Sequence, residues 1–370
     1  MRTLLRIFKN ETFSAYILIP IGLLAIALGS HFDSHFLEQT RTIAGWHFTI
    51  REFTLDYLLG FFFYSVGLQL RFELVQGSLV DRKVLIVSAF SAGMGMATPA
   101  LLFFLYNRIN GTPTTGWGIT MATDLPFVLA MLVVLKRANL KGFVLALATI
   151  DDIGSVIVLS IIFKVKIDLA AFLLMFAVLA LYYLISRYLN SRVLLVLLFI
   201  VGLAFGHQSG IQTSLVAVLF GLITSRHQES TRGFQERMLN LAEPISAFVV
   251  IPVFVFITLF RRYGFSWHAT TSTLVLSLII LRLIGKPLGI FLGAWLAKSA
   301  IRFTLPFSLR ELFLIGALGT LGLDVSLIFA QKDFFSGYQN LAIMGILFTI
   351  PFAVVLSVMV HLLSPKEKTL

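Results

Sequence analysis

The chain has 370 residues, 58% of them hydrophobic and 13% charged, and a mean hydropathy of +0.93. A soluble domain carries about 25% charged residues, so this composition excludes an ordinary soluble protein and points to an all-α polytopic membrane protein. The absence of cysteine excludes disulfides and cysteine-based metal or redox chemistry. The net charge of +11 lies in short loops between apolar runs, which reads as a membrane-orientation signal and not as a nucleic-acid surface.

In chain order, twelve apolar runs are of spanning length, at about 14–30, 55–70, 84–106, 117–135, 142–163, 169–187, 193–206, 211–225, 242–260, 270–297, 311–331 and 339–363. With both termini in the cytoplasm, nineteen of the 29 Lys and Arg residues fall in inner loops and eight in outer loops, and Arg282 and Lys286 lie inside a span. That bias supports an even number of spans in a single membrane transport domain over 1–370. The first run follows a basic start and contains Ala25-Ile26-Ala27, similar to a signal-peptidase site. Cleavage there would break the even parity, so an uncleaved anchor is expected. The outer loop at 31–54 carries the alternating stretch Thr42 to Ile50, which suits a small β-hairpin and a subunit contact for a homodimer.

The fourth run holds Thr123, Asp124 and Pro126 about halfway across. Proline lacks an amide proton and crowds the preceding turn, so the helix is expected to break here. Backbone groups freed at membrane depth are tolerable only when buried or lining a cavity, and Thr123 and Asp124 sit where those groups need compensation. The fifth run places Asp151 and Asp152 side by side. One acid at the centre of a membrane helix costs roughly 2.5–3.5 kcal/mol on insertion scales, so a tandem pair calls for partners, protons or a bound cation. Successive helical residues point about 100° apart; one acid can therefore meet a lysine while the other faces a water-filled cavity. Desolvation and the like charge next door both favour a protonated carboxyl. Such a group binds a proton or helps bind a hard cation through oxygen, but not both at once.

The tenth run carries Arg282 and Lys286 one turn apart, followed by Pro287. Like charges at this spacing repel, so each is expected to meet an acid from another helix, Lys286 with Asp151 or Asp152 and Arg282 with Asp324. In the eleventh run Gly316, Gly319 and Gly322 precede Leu323-Asp324-Val325-Ser326. The glycines alone would read as close helix packing; with Asp324 they read as a second broken helix. Two interrupted spans, the fourth and eleventh, point to an inverted-repeat transporter with its site between them. A lysine merely anchored by an acid accounts for one pair, whereas two adjacent acids, a third in a broken helix and a lysine fit an exchange site.

These residues resemble the bacterial NhaA-type sodium/proton antiporter family, through most of the chain. The most specific pieces are Ala122-Thr123-Asp124, the stretch Ala148 to Gly154 around the acid pair, and Ile284-Gly285-Lys286-Pro287-Leu288-Gly289-Ile290. The resemblance implies a twelve-span protein of the bacterial inner membrane, often dimeric through an outer hairpin. It implies exchange of sodium or lithium for protons by alternating access, with membrane lipid as surroundings and no cofactor. By position it implies that Asp152 is the principal cation and proton carboxylate, that Asp151 pairs with Lys286, and that this lysine makes exchange electrogenic. Thr123 and Asp124 match the broken-helix residues, Asp124 offsetting helix-end partial charge.

The chain departs from the family at several positions. Asp324 stands where a hydroxyl is usual and Arg282 where an apolar residue is usual, which looks like a compensated pair beside the common machinery, or an Asp324 that joins the site. Gln212 replaces a histidine, Leu239 and Gln69 replace acids, and Glu243 replaces the histidine before Pro244. These replacements leave the transport core intact and remove the basis for carrying over the family's pH response. Two other readings stay open. One is a sodium-coupled symporter of an organic anion, with Arg282 on the anion; the other is a non-transporting sensor on an antiporter scaffold. An enzyme is not expected, because the seven histidines lie in or near loops and termini with no nucleophile motif beside them.

Overall fold

A computed structural model describes residues 11–32, 35–43, 46–77, 80–162, 168–189, 191–211, 213–224, 238, 241–242, 244–260, 271–301, 307–331 and 338–363. Gln212, Leu239 and Glu243 lie outside these residues, as do the side chains of Pro126 and Asp324.

Among the described residues each apolar run contains helix, the only open-chain conformation that satisfies its own backbone hydrogen bonds without water. The longer segments are α1 (Glu11–His31), α2 (Leu59–Val75), α3 (Arg82–Ile109), α4 (Leu125–Val134), α5 (Lys141–Ile162), α6 (Leu169–Tyr188), α7 (Arg192–Gln208), α8 (Thr213–Ile223), α9 (Ile251–Leu259), α10 (Thr273–Ile301), α11 (Leu309–Gly319), α12 (Asp324–Gln331) and α13 (Gln339–Leu363). Among the described residues five stretches are long and apolar enough to cross a membrane: Arg82–Ile109, Lys141–Leu159, Leu169–Tyr188, Thr273–Ala300 and Gln339–Leu363. Between α1 and α2, β1 (Arg41–Ile43) pairs antiparallel with β2 (Trp46–Phe48), Arg41 opposite Phe48 and Ile43 opposite Trp46. The chain then turns into a one-turn helix at Ile50–Phe53 because Thr49 and Glu52 form a reciprocal capping box.

Exposure is inverted relative to a soluble protein. Leu173, Leu174 and Phe176 on α6 and Val196, Leu197 and Ile200 on α7 are exposed, whereas Asp151, Asp152, Lys286 and Arg282 are buried. Large exposed apolar faces on this scale mark a surface covered by something other than water, and hydrocarbon fits the spanning lengths.

The chain packs as two compact units, one formed by 1–77 and 156–262, the other by 78–155 and 263–370. In the first, α2 and α8 cross with backbones touching: a Cβ on Gly67 would stand 3.0 Å from the Gly221 Cα. Beside that crossing the Tyr64 and Tyr182 hydroxyls lie 2.9 Å apart, and Thr224 lies 3.1 Å from Tyr182 while donating to the Phe220 carbonyl. The buried hydroxyls thus satisfy one another, as buried polar groups must.

In the second unit α10 lies along α3. Gly285, Gly289 and Gly293 recur every four residues and so share one face of α10. A Cβ at Gly285 would stand 2.7 Å from the Pro99 Cα, and one at Gly293 would stand 2.7 Å from the Phe90 carbonyl carbon. Removing side chains lets backbones approach, which is how membrane helices associate where lipid supplies no hydrophobic drive. Pro287 sits inside α10 without ending it, a tolerance that neighbouring helices confer on membrane proline. Gly289→Val is expected to force α3 and α10 apart at a cost of about 1–3 kcal/mol, the usual range for overpacking. The measurement is the melting temperature in detergent, and an unchanged value would refute the close contact.

Candidate functional site

Two helical interruptions in the second unit are built alike. A 3-10 segment, Thr115–Thr120, gives way to non-helical chain before α4 starts at Leu125, and α11 ends at Gly319 before α12 starts at Asp324. Pro126 falls in the first turn of α4, where its missing amide proton costs nothing. The two non-helical stretches bond to each other. The Asp124 amide donates to the Leu321 carbonyl at 2.8 Å, and the Leu323 amide donates to Asp124 Oδ2 at 2.5 Å. The Thr123 hydroxyl donates to the Gly319 carbonyl at 2.8 Å, at the open end of α11. Asp124 therefore places a carboxylate at the N-terminus of α12, where helix-end partial charge is positive, and Thr123 serves a carbonyl at the C-terminus of α11.

A glycine is needed in the second stretch. A Cβ on Gly322 would stand 2.6 Å from the Ala122 carbonyl oxygen, so only a residue without a side chain lets the two chains lie this close.

Arg282 and Lys286, the two buried cations of α10, both reach the first stretch. Lys286 Nζ donates to the Met121 carbonyl and stands 2.7 Å from Asp151 Oδ2. Arg282 donates from Nη2 to the Ala122 carbonyl at 2.7 Å and from Nη1 to the Ser326 hydroxyl at 3.0 Å. Ser326 in turn donates to the Ile119 carbonyl at 3.0 Å. The last carbonyls of a helical segment carry partial negative charge, so two cations there neutralise what the interruption exposes.

The paired acids have different surroundings. Asp151 is fully buried, as is Lys286, and among the described residues its Oδ1 makes no hydrogen bond within 3.5 Å. Asp152 is 5% exposed, and among the described residues no donor reaches its carboxyl. One acid is therefore paired and sealed, and its neighbour has no donor among the described residues. Close behind them Ser155 Oγ lies 3.8 Å from Met96 Sδ, and Gly154 leaves room for the same Met96 side chain.

The lysine thus meets Asp151 and not Asp152. Arg282 has a carbonyl and a hydroxyl as partners; its expected pairing with Asp324 lies outside the described side chains. Gln69 lies on α2 in the first unit. The carbonyls of Met121 and Ala122 and the Ser326 hydroxyl were not assigned roles from sequence. Ser326 had a usable signal, a hydroxyl two residues after the first residue of a half-helix; the carbonyls had none, since every residue carries one.

A predominantly helical protein with long apolar spans, buried carboxylates, buried cations and two non-helical stretches meeting at one place belongs to the class of polytopic membrane proteins. Residues 5–361 match the family described as Na+/H+ antiporter 1, and the chain belongs to that family. It is 32% identical over 286 residues to the Na(+)/H(+) antiporter NhaA of Yersinia enterocolitica, covering 75% of this chain and 73% of that protein. To the Na(+)/H(+) antiporter NhaA of Proteus mirabilis it is 30% identical over 307 residues, covering 79% and 77% respectively.

Proposed function

We infer that the protein is a secondary sodium (or lithium)/proton antiporter of the bacterial inner membrane, with twelve spans, both termini cytoplasmic, and protons and cation competing for Asp151 and Asp152. The observation that carries this reading is the asymmetry of the acid pair, Asp151 held by Lys286 at 2.7 Å and Asp152 with no donor among the described residues. A carboxylate with free oxygens in a nearly dry site suits a hard cation that takes oxygen ligands, and a proton on the same oxygens displaces it. The two interrupted helices are read as the paired broken helices of an inverted repeat, the architecture that keeps polar backbone at mid-membrane. A cation that reaches Asp151 competes with Lys286 for one carboxylate, which links cation binding to the lysine's charge and supports electrogenic exchange. The hairpin of β1 and β2 is read as a contact between two copies of the chain.

An organic-anion symporter is disfavoured because Arg282 is 1% exposed and already donates to Ala122 and Ser326. The test is sodium- and lithium-induced pH change in proteoliposomes, recorded with and without an imposed membrane potential. Cation-driven proton movement that the potential accelerates is expected. Sodium-driven uptake of an organic anion with no proton counterflow would replace this reading with the symporter.

A further inference from the structure

The exchange reading uses the acid pair and Lys286 and leaves Arg282 without a role. Among the described residues Arg282 is the largest fully buried side chain, on the same face of α10 as Lys286 and one turn away. Two of its described hydrogen bonds go to the scaffold of the crossing: the Ala122 carbonyl at 2.7 Å and Ser326 Oγ at 3.0 Å. Through Ser326, which bonds the Ile119 carbonyl, it ties the end of the Thr115–Thr120 segment to α12.

The neighbouring carbonyl, Met121, is bonded by Lys286. Two adjacent carbonyls at one helix end are thus served by two different cations. The difference matters chemically, because a guanidinium stays charged at every accessible pH whereas a buried ammonium can give up its proton. If Lys286 alone neutralised this end, each loss of its proton or of its place beside Asp151 would leave both carbonyls uncompensated at membrane depth.

We propose that Arg282 is a positioning residue, a permanent charge that holds the crossing of the two interrupted helices in place while Lys286 changes partner or protonation during exchange. Arg282 itself does not touch the transported cation. It keeps Ala122, and with it Thr123 and Asp124, at fixed register against Leu321 to Leu323, so the geometry around Asp151 and Asp152 does not depend on what Lys286 is doing. This role rests on the antiport reading for its functional consequence and on the crossing's geometry alone for its structural one.

The test compares Arg282→Leu, Arg282→Gln and Arg282→Lys with the unaltered protein in proteoliposomes, over about pH 7 to about pH 10, the range in which an ordinary lysine begins to deprotonate. Apparent KM for sodium, maximal rate and melting temperature are read at each pH. Arg282→Leu and Arg282→Gln are expected to raise KM by about tenfold, the scale of one charged hydrogen bond, with a smaller change in maximal rate and a lower melting temperature. Arg282→Lys is the decisive variant, because it keeps a charge that alkali can remove. Its KM relative to the unaltered protein should climb as pH rises, and its melting temperature should fall further behind over the same range. A KM ratio for Arg282→Lys that is independent of pH, or Arg282→Gln within twofold of the unaltered protein, overturns the proposal. If the unaltered protein exchanges no cation, the antiport reading fails; the melting temperatures then decide this one, and an Arg282→Lys protein that melts in parallel with the unaltered protein at every pH overturns it.

Discussion

Asp152→Asn is expected to reduce sodium-dependent pH change in proteoliposomes to the level of protein-free vesicles, while the purified protein melts no lower than the unaltered one. The two halves of that result come from the same observation. No described donor reaches the Asp152 carboxyl, so the amide breaks no hydrogen bond. Asp152 is only 5% exposed, and replacing a buried acid with a neutral isostere removes a desolvation cost that no described hydrogen bond offsets. Stability is therefore held or raised. Exchange, by contrast, needs a group that is anionic when it holds the cation and neutral when it holds the proton, and an amide is neutral in both states. Retained exchange with a folded Asp152→Asn protein would take Asp152 out of its role and leave Asp151 as the exchanging acid.

Asp151 and Asp152 were visible in the sequence because charge inside an apolar run is expensive wherever the chain folds. The same argument found Lys286 and Arg282, and Pro126 with Asp124 located the first interruption. What the letters could not show was where the cations point. An acid was expected opposite Arg282, since pairing rules speak of charged side chains. The side chain of Asp324 lies outside the described residues, and what the structure adds at Arg282 is a carbonyl and a hydroxyl, because an interrupted helix makes its own charge: the partial charges of backbone groups at Met121, Ala122 and Gly319 depend on where helix stops and are the same atoms in every residue. Which of the adjacent acids meets the lysine was equally hidden. Helical geometry requires that they face differently, and only the packing of α5 beside α10 gives Asp151 to Lys286. The tight stripe of Gly285, Gly289 and Gly293 shows a further limit, since glycine spacing reads equally as a break or a contact, and here the same residue type serves as contact on α10 and as clearance at Gly322.

Lys286→Met is expected to be the most destabilising single change in the site, and adding Asp151→Asn is expected to restore part of what it loses. Breaking a buried ion pair from one side costs about 3–5 kcal/mol because a charge is left without compensation. Both partners here are fully buried, so solvent does little to soften that loss. Removing the second charge lifts the penalty, and a buried pair replaced by neutral groups is often close to neutral in stability. Recovery should still fall short, because Lys286 also serves the Met121 carbonyl, and a buried acceptor left without its donor costs about 1–3 kcal/mol. Unfolding of the two single variants and the double variant in detergent, at alkaline pH where proton uptake by a lone Asp151 is disfavoured, measures the coupling directly. A double variant no more stable than Lys286→Met would mean that the lysine is held in the site by the Met121 carbonyl, with Asp151 a neighbour and not its partner. The competition between cation and lysine for one carboxylate would then have no basis.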